Sequence, residues 1–213
     1  MITGILLAAG YSRRFGNQKL LQPLSDNSVS GVTRQPMGLM AAQKLLPAVD
    51  KMVVVIRLET QLEAKLAMRT DEPKAKLLQE LYAKAGIQTL VCENANIGMS
   101  ESIKAGVKAT ADSTAWLIAL ADMPFIQTPT IAAVAKLLRQ GRSLVRPAYQ
   151  GKPGHPVGFS QTHFEELMQL QGDHGAQDIL HRHKHSLTLL PCEDRGVILD
   201  IDTPAQLQQL SPG

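Results

Sequence analysis

Three nearly unbroken apolar runs constrain this chain most: Ile2-Thr3-Gly4-Ile5-Leu6-Leu7, Met52-Val53-Val54-Val55-Ile56 and Trp116-Leu117-Ile118-Ala119-Leu120-Ala121. A strand with one wet face alternates polar and apolar residues, so strands apolar at nearly every position are covered on both faces. Between the runs, residues 37–46, 74–85 and 128–140 carry apolar side chains at helical spacing. Strands that alternate with helices and need cover on both sides make an α/β protein with a mostly parallel sheet. The same reading places strands at 87–91, 144–147, 187–190 and 197–201. It places helices at 58–68, 98–111 and 162–170, a basic helix after Gly172-Asp173 that runs to His183, and a last one from Thr203-Pro204. Thr128 is the expected N-cap of its helix, with Pro129 in the first turn. Residues 25–36 are polar and read as an exposed loop; residues 149–159 read as a glycine-rich excursion or hairpin. With no internal repeat or linker, the 213 residues read as a single domain, 1–213.

Composition narrows the function classes. A net charge of +3 favours small anions over nucleic acid, which needs a dense basic stripe. Aromatic residues make up 4% of the chain, too few for base stacking on exposed rings to be its main activity. The two cysteines, Cys92 and Cys192, have no zinc-site spacing and form no disulfide framework. They suit a reducing cytoplasm. No run approaches the ~18 apolar residues of a membrane span, and the first residues read as a strand rather than a leader. A cytoplasmic protein without nucleic-acid or membrane partners is expected.

The first strand empties into Ala8-Ala9-Gly10-Tyr11-Ser12-Arg13-Arg14-Phe15-Gly16-Asn17-Gln18-Lys19. Glycines let a phosphate approach bare N–H groups, arginine offers a planar fork, and lysine a mobile point charge. The loop is not a Walker A motif, because five residues rather than four separate Gly10 from Gly16 and Lys19 comes late. Nor is it a G-x-G-x-x-G. In an open parallel sheet, ligands sit beyond the carboxyl ends of the strands. Asp122, leaving the third apolar run, is placed there to hold a cation. Asp200 and Asp202, two apart on the expected 197–201 strand and its exit, share one face. Either Asp202 helps hold that cation or it caps the helix after it. Gly98 and Ser100 open a helix whose N-terminus offers N–H groups to an anion. Asp173 reads as a cap for the helix that follows it. The alternate histidines His181, His183 and His185 lie at a helix end, where basic groups satisfy the dipole, rather than forming a metal tract.

Several of these stretches together resemble one family. The residues Leu7-Ala8-Ala9-Gly10, Ser12, Arg14, Gly16 and Lys19 resemble the L-A-A-G-x-S-x-R-x-G-x-x-K signature of the nucleotidyltransferases related to MobA and MocA. Asn94-Ala95-Asn96-Ile97-Gly98-Met99-Ser100-Glu101-Ser102-Ile103, Ala119-Leu120-Ala121-Asp122-Met123-Pro124, Arg146-Pro147-Ala148-Tyr149-Gln150-Gly151-Lys152-Pro153-Gly154-His155-Pro156-Val157 and Asp200-Ile201-Asp202-Thr203-Pro204 resemble its later segments, in the same order. The resemblance implies a Rossmann-like three-layer nucleotidyltransferase fold and a Mg²⁺-dependent transfer from an NTP to molybdopterin, with pyrophosphate released. Ala9, where guanylyl-transferring relatives carry glycine, favours CTP over GTP. The implied catalytic residues are Arg14, Lys19 and Asp122. The implied metal ligands are Asp122 and Asp202, with Asp200 close behind. Ala8, Ala9, Gly10, Ser12, Arg14, Gly16, Lys19, Gly98, Ser100 and Ser102 are the implied nucleotide-pocket residues, with Arg146 and His155 toward the acceptor. A molybdoenzyme or its chaperone is the expected receiver of the product.

Overall fold

In the computed structural model, which describes residues 1–10, 15, 19–26, 33–57 and 74–210, the first apolar run is the axis of the molecule. The strands are β1 (Ile2–Leu7), β2 (Pro23–Asp26), β3 (Thr33–Pro36), β4 (Lys51–Arg57), β5 (Gln88–Cys92), β6 (Ala115–Leu120), β7 (Leu144–Tyr149), β8 (Lys152–Pro153), β9 (Val157–Ser160) and β10 (Thr188–Cys192). The helices are α1 (Met37–Leu45), α2 (Lys74–Lys84), α3 (Met99–Ala109), α4 (Thr128–Arg139), α5 (Phe164–Met168), α6 (Gln177–Arg182) and α7 (Pro204–Leu210). The main sheet runs β10-β7-β9-β6-β1-β4-β5, with β8 paired to β7. Its neighbours are parallel except where β9 lies antiparallel between β6 and β7 and where β8 pairs with β7.

Alternation along each buried strand splits the core into two layers. Ile2 and Leu6 of β1, Val54 and Ile56 of β4, and Leu117 and Ala119 of β6 face one side, under α1, Tyr82 of α2 and α4. Ile5 and Leu7, Val53 and Val55, and Trp116 and Ile118 face the other, under α3, α5 and α6. Helices therefore cover both faces, as continuous apolar runs demand. Gly106 lets α3 sit close on the sheet: a Cβ there would lie 2.6 Å from Ile5 Cγ2. That close seat carries the N-terminus of α3 to the carboxyl end of β1.

Four expectations change. Residues 25–36 are not simply an exposed loop, because β2 and β3 pair as antiparallel arms at either end of the stretch, Pro23 opposite Pro36. Their inner side closes a small cluster of Phe15, Leu24, Met37, Met40 and Ile201. Residues 197–201 do not form a strand; a short 3-10 helix spans Arg195–Ile198 and residues 199–202 have no regular structure. Their backbone bonds go elsewhere: Val197 accepts from the His155 N–H at 2.8 Å, and the Ile201 N–H donates to the Asp122 carbonyl at 3.0 Å. Gln127, not Thr128, is the N-cap residue of α4, with no side-chain cap. Asp173 caps a different helix from the one expected. The helix expected at 58–68 lies outside the described residues.

Candidate active site

Leu7 stands level with Val55 of β4 and Leu120 of β6, so β1 and β6 end together beside β4. The ladder closes with the Ala8 N–H on the Val55 carbonyl at 2.8 Å and the Ala121 N–H on the Leu7 carbonyl at 3.1 Å. Beyond that line the chain leaves the sheet at 8–10 and at Asp122. A cavity of about 580 Å³ opens there. Ala8, Ala9, Gly10, Lys19, Asn96, Gly98, Met99, Ser102, Asp122, Asp173 and Asp202 contribute to its wall.

Lys19 dominates the electrostatics. Its side chain is 6% exposed, and its ammonium donates to Asp122 Oδ2 and to Asp202 Oδ1, each at 2.9 Å. Burial by itself works to lower the Lys19 pKa, but the charge of Asp122 and the hydrogen bonds to both carboxylates outweigh it and the net shift is upward. The lysine is thus held charged, bridging two segments far apart in sequence.

Local sequence explains how Asp202 reaches that position. Thr203-Pro204-Ala205-Gln206 is a capping box at the start of α7. The Thr203 hydroxyl accepts from the Gln206 N–H at 3.2 Å, and Gln206 Oε1 accepts from the Asp202 and Thr203 N–H groups at 2.8 and 2.9 Å. Ile201, fully buried in the small cluster, anchors the same segment and ties it to Asp122 through its N–H. Asp202 is therefore presented from a helix entrance rather than from a strand face.

The opposite wall is the entrance of α3. Gly98 has φ of 154°, and a Cβ there would lie 2.4 Å from the Gly172 carbonyl oxygen. Asp173 Oδ1 accepts from the Met99 N–H at 3.0 Å, and Gly172 O from the Ser100 N–H at 3.2 Å. A carboxylate on an N-terminal amide suits the helix dipole. Sequence reasoning missed this role, because the cap lies 74 residues from the amide it serves.

The expected site residues divide into five groups. Ala8, Ala9, Gly10, Lys19, Gly98, Ser102, Asp122 and Asp202 come together on the cavity. Ser100 does not line it; its side chain is fully buried and its hydroxyl has no partner among the described residues. Arg146 and His155 lie off it, where Arg146 Nε donates to the Gly154 carbonyl at 3.0 Å. Burial, with the Arg146 charge beside it, pushes the His155 pKa down to about 4 against a backbone hydrogen bond with Ile118. Its Nδ1 is sealed from solvent with no partner among the described residues. Ser12, Arg14 and Gly16 lie outside the described residues, and Asp200 is exposed.

Residues 4–187 match the MobA-like NTP transferase domain. The chain belongs to that family. It is a nucleotidyltransferase, with the cavity at the strand ends as its candidate active site. It is 27% identical over 208 residues to the purine catabolism protein PucB of Bacillus subtilis, covering 96% of this chain and 93% of that one. It is 25% identical over 218 residues to the nicotine blue oxidoreductase of Paenarthrobacter nicotinovorans, covering 98% and 96%. Among solved structures, Rv0371c of Mycobacterium tuberculosis superimposes with a TM-score of 0.74 at 23% identity, over 100% of this chain and 97% of that one. The manganese complex of Rv0371c gives 0.72 at 22% identity, over 98% and 97%. At such identities the structural likeness speaks to the fold alone. No helix among the described residues of this nucleotidyltransferase is long and apolar enough to cross a membrane.

Proposed function

We propose that this nucleotidyltransferase joins the nucleoside monophosphate of CTP to the terminal phosphate of a molybdopterin-type acceptor and releases pyrophosphate. One observation carries the reading: the Lys19 ammonium is shared between Asp122 and Asp202 on the wall of the cavity. The two carboxylates thus already converge on one positive charge, and the donor set suits Mg²⁺, which takes oxygen ligands including one or two carboxylates. Asp122 and Asp202 would hold the ion. When bound it would neutralise charge on the phosphates that surround the reacting phosphorus.

The remaining work falls to the chain itself. A phosphate nucleophile is ionised at neutral pH, so no general base is needed. In-line attack on the α-phosphate forms one P–O bond as the bond to pyrophosphate breaks. Positioning and electrostatic stabilisation supply most of such catalysis. Gly10 leaves the backbone open for phosphate approach, and Lys19 supplies positive charge to the leaving phosphates. Arg14 is assigned the same duty on its sequence position. Gly98 and Ser102, at the entrance of α3, line the nucleotide side. Ala9 in place of glycine favours CTP over GTP.

The test offers CTP, GTP and ATP, each with Mg²⁺ and molybdopterin, and measures pyrophosphate. CTP-dependent release that requires molybdopterin supports the assignment. Release with a sugar phosphate instead would move the acceptor and keep the reaction class. Tight binding of molybdopterin dinucleotide with no pyrophosphate from any NTP would make the chain a carrier rather than a catalyst.

A further inference from the structure

We propose that Lys19 serves as an exchangeable counter-ion: it holds the Asp122–Asp202 pair in the empty enzyme and yields it only when a divalent ion arrives together with a polyphosphate. The proposal rests on the reading of those carboxylates as the metal site.

Its ground is geometric. The ammonium lies 2.9 Å from one oxygen of each aspartate, so any cation that takes both oxygens has to displace it. A divalent ion and an ammonium cannot share those two oxygens, because they repel strongly at such separation in a partly buried setting. A metal arriving alone must therefore turn Lys19 out. The displaced charge belongs to a side chain only 6% exposed, and both of its carboxylate partners would be taken. A buried charge stripped of its partners is costly. A polyphosphate bound in the same cavity, whose wall includes Lys19, would remove that cost by accepting the ammonium. Metal and nucleotide then bind as one unit, each strengthening the other, and the linkage is reciprocal. The empty enzyme also stays closed to stray divalent ions.

This leads to an unusual expectation. Replacing the phosphate-binding lysine should tighten metal binding in the absence of nucleotide, because the ammonium shared by Asp122 and Asp202 is gone. Mn²⁺ binding is followed by electron paramagnetic resonance of the free ion. Lys19→Met and Lys19→Gln are expected to bind Mn²⁺ alone at least tenfold more tightly than the wild type. Lys19→Arg, which keeps a cation, should remain as weak as the wild type. Equal affinity of wild type and the neutral variants for Mn²⁺ overturns the exchange while leaving the metal site in place. Absence of Mn²⁺ binding to every form, with tripolyphosphate as well as without, overturns the metal site itself. If the neutral variants do not fold, the wild type still decides: calorimetry should show the preformed Mn²⁺–tripolyphosphate complex binding at least a hundredfold more tightly than Mn²⁺ alone. Comparable affinities for the two probes would overturn the exchange.

Discussion

Two charged clusters in this molecule have opposite designs. At the strand ends, one cation, Lys19, is the hub of two carboxylates. On the far side of the sheet, one carboxylate, Glu166 of α5, is the hub of three basic groups: Arg182 on Oε2 at 3.0 Å, with His183 at 2.8 Å and His163 at 3.3 Å on Oε1. The rings of His163 and His183 meet edge to face at 4.9 Å. The second cluster offers three possible metal-donor atoms within 4.8 Å of one another. Yet its carboxylate already carries an arginine, and the cluster opens onto a helix contact. It ties α6 to α5. The first cluster opens onto a cavity, and its hub is a buried lysine. A cluster of charges is read by which group stands at its centre and what space it faces.

The contrast can be broken most sharply at Asp122. Asp122→Asn should lower kcat for pyrophosphate release by on the order of a hundredfold or more, the scale of losing one group that stabilises developing charge. Melting should stay within a few degrees of the wild type; full turnover in the variant would remove Asp122 from the chemistry.

A second test uses an ionisable group with a basic neighbour and no carboxylate. His155 sits beside Arg146, and its folded pKa of about 4 lies below the ordinary 6.5. The unfolded chain therefore takes up the proton first. Stability from this group is complete above pH 6.5 and is lost as pH falls toward 4, up to about 3 kcal/mol from that gap in pKa. Urea unfolding at a series of pH values, with His155→Gln alongside, reads the loss. An identical pH slope in the variant would assign it to other groups.

Lys19→Ala should raise the KM for NTP by roughly tenfold to a hundredfold, the worth of one charge-assisted hydrogen bond. Steady-state kinetics with saturating acceptor checks it. An unchanged KM would place Lys19 outside the phosphate site. Glu166→Gln should cost about 1–2 kcal/mol of stability, a fall of roughly 2–8 °C in Tm, and leave turnover alone. Lost turnover at unchanged Tm would contradict the structural role given to this cluster. The smallest effect belongs to Arg182→Ala, less than about 0.5 kcal/mol, because its side chain is mostly exposed and its ion pair is screened.

How much of this was legible in the sequence follows from how local each signal is. The buried strands were legible because a run such as Met52 to Ile56 has no other stable home than the middle of a covered sheet. Reading His181, His183 and His185 as basic groups at a helix end did not disclose the contact that His183 makes. Its partner Glu166 lies 17 residues away on another helix. Gly172-Asp173 was read as a cap for the helix after it, when its carboxylate serves the N-terminus of α3. The 197–201 segment has a strand's composition, yet its N–H and carbonyl groups are taken by Asp122 and His155, and no ladder is left for it to join.

By itself the sequence determined the layered α/β plan and the crowding of glycine, lysine and aspartate near strand ends. Period and composition act over a few residues, and those features are written at that range. The tertiary structure alone decided that Lys19, Asp122 and Asp202 meet within hydrogen-bonding distance, and that Arg146 and His155 lie off the cavity they were expected to serve. Bringing groups from positions 19, 122 and 202 together depends on parallel strand register and on the Thr203–Gln206 cap. No local pattern encodes that convergence.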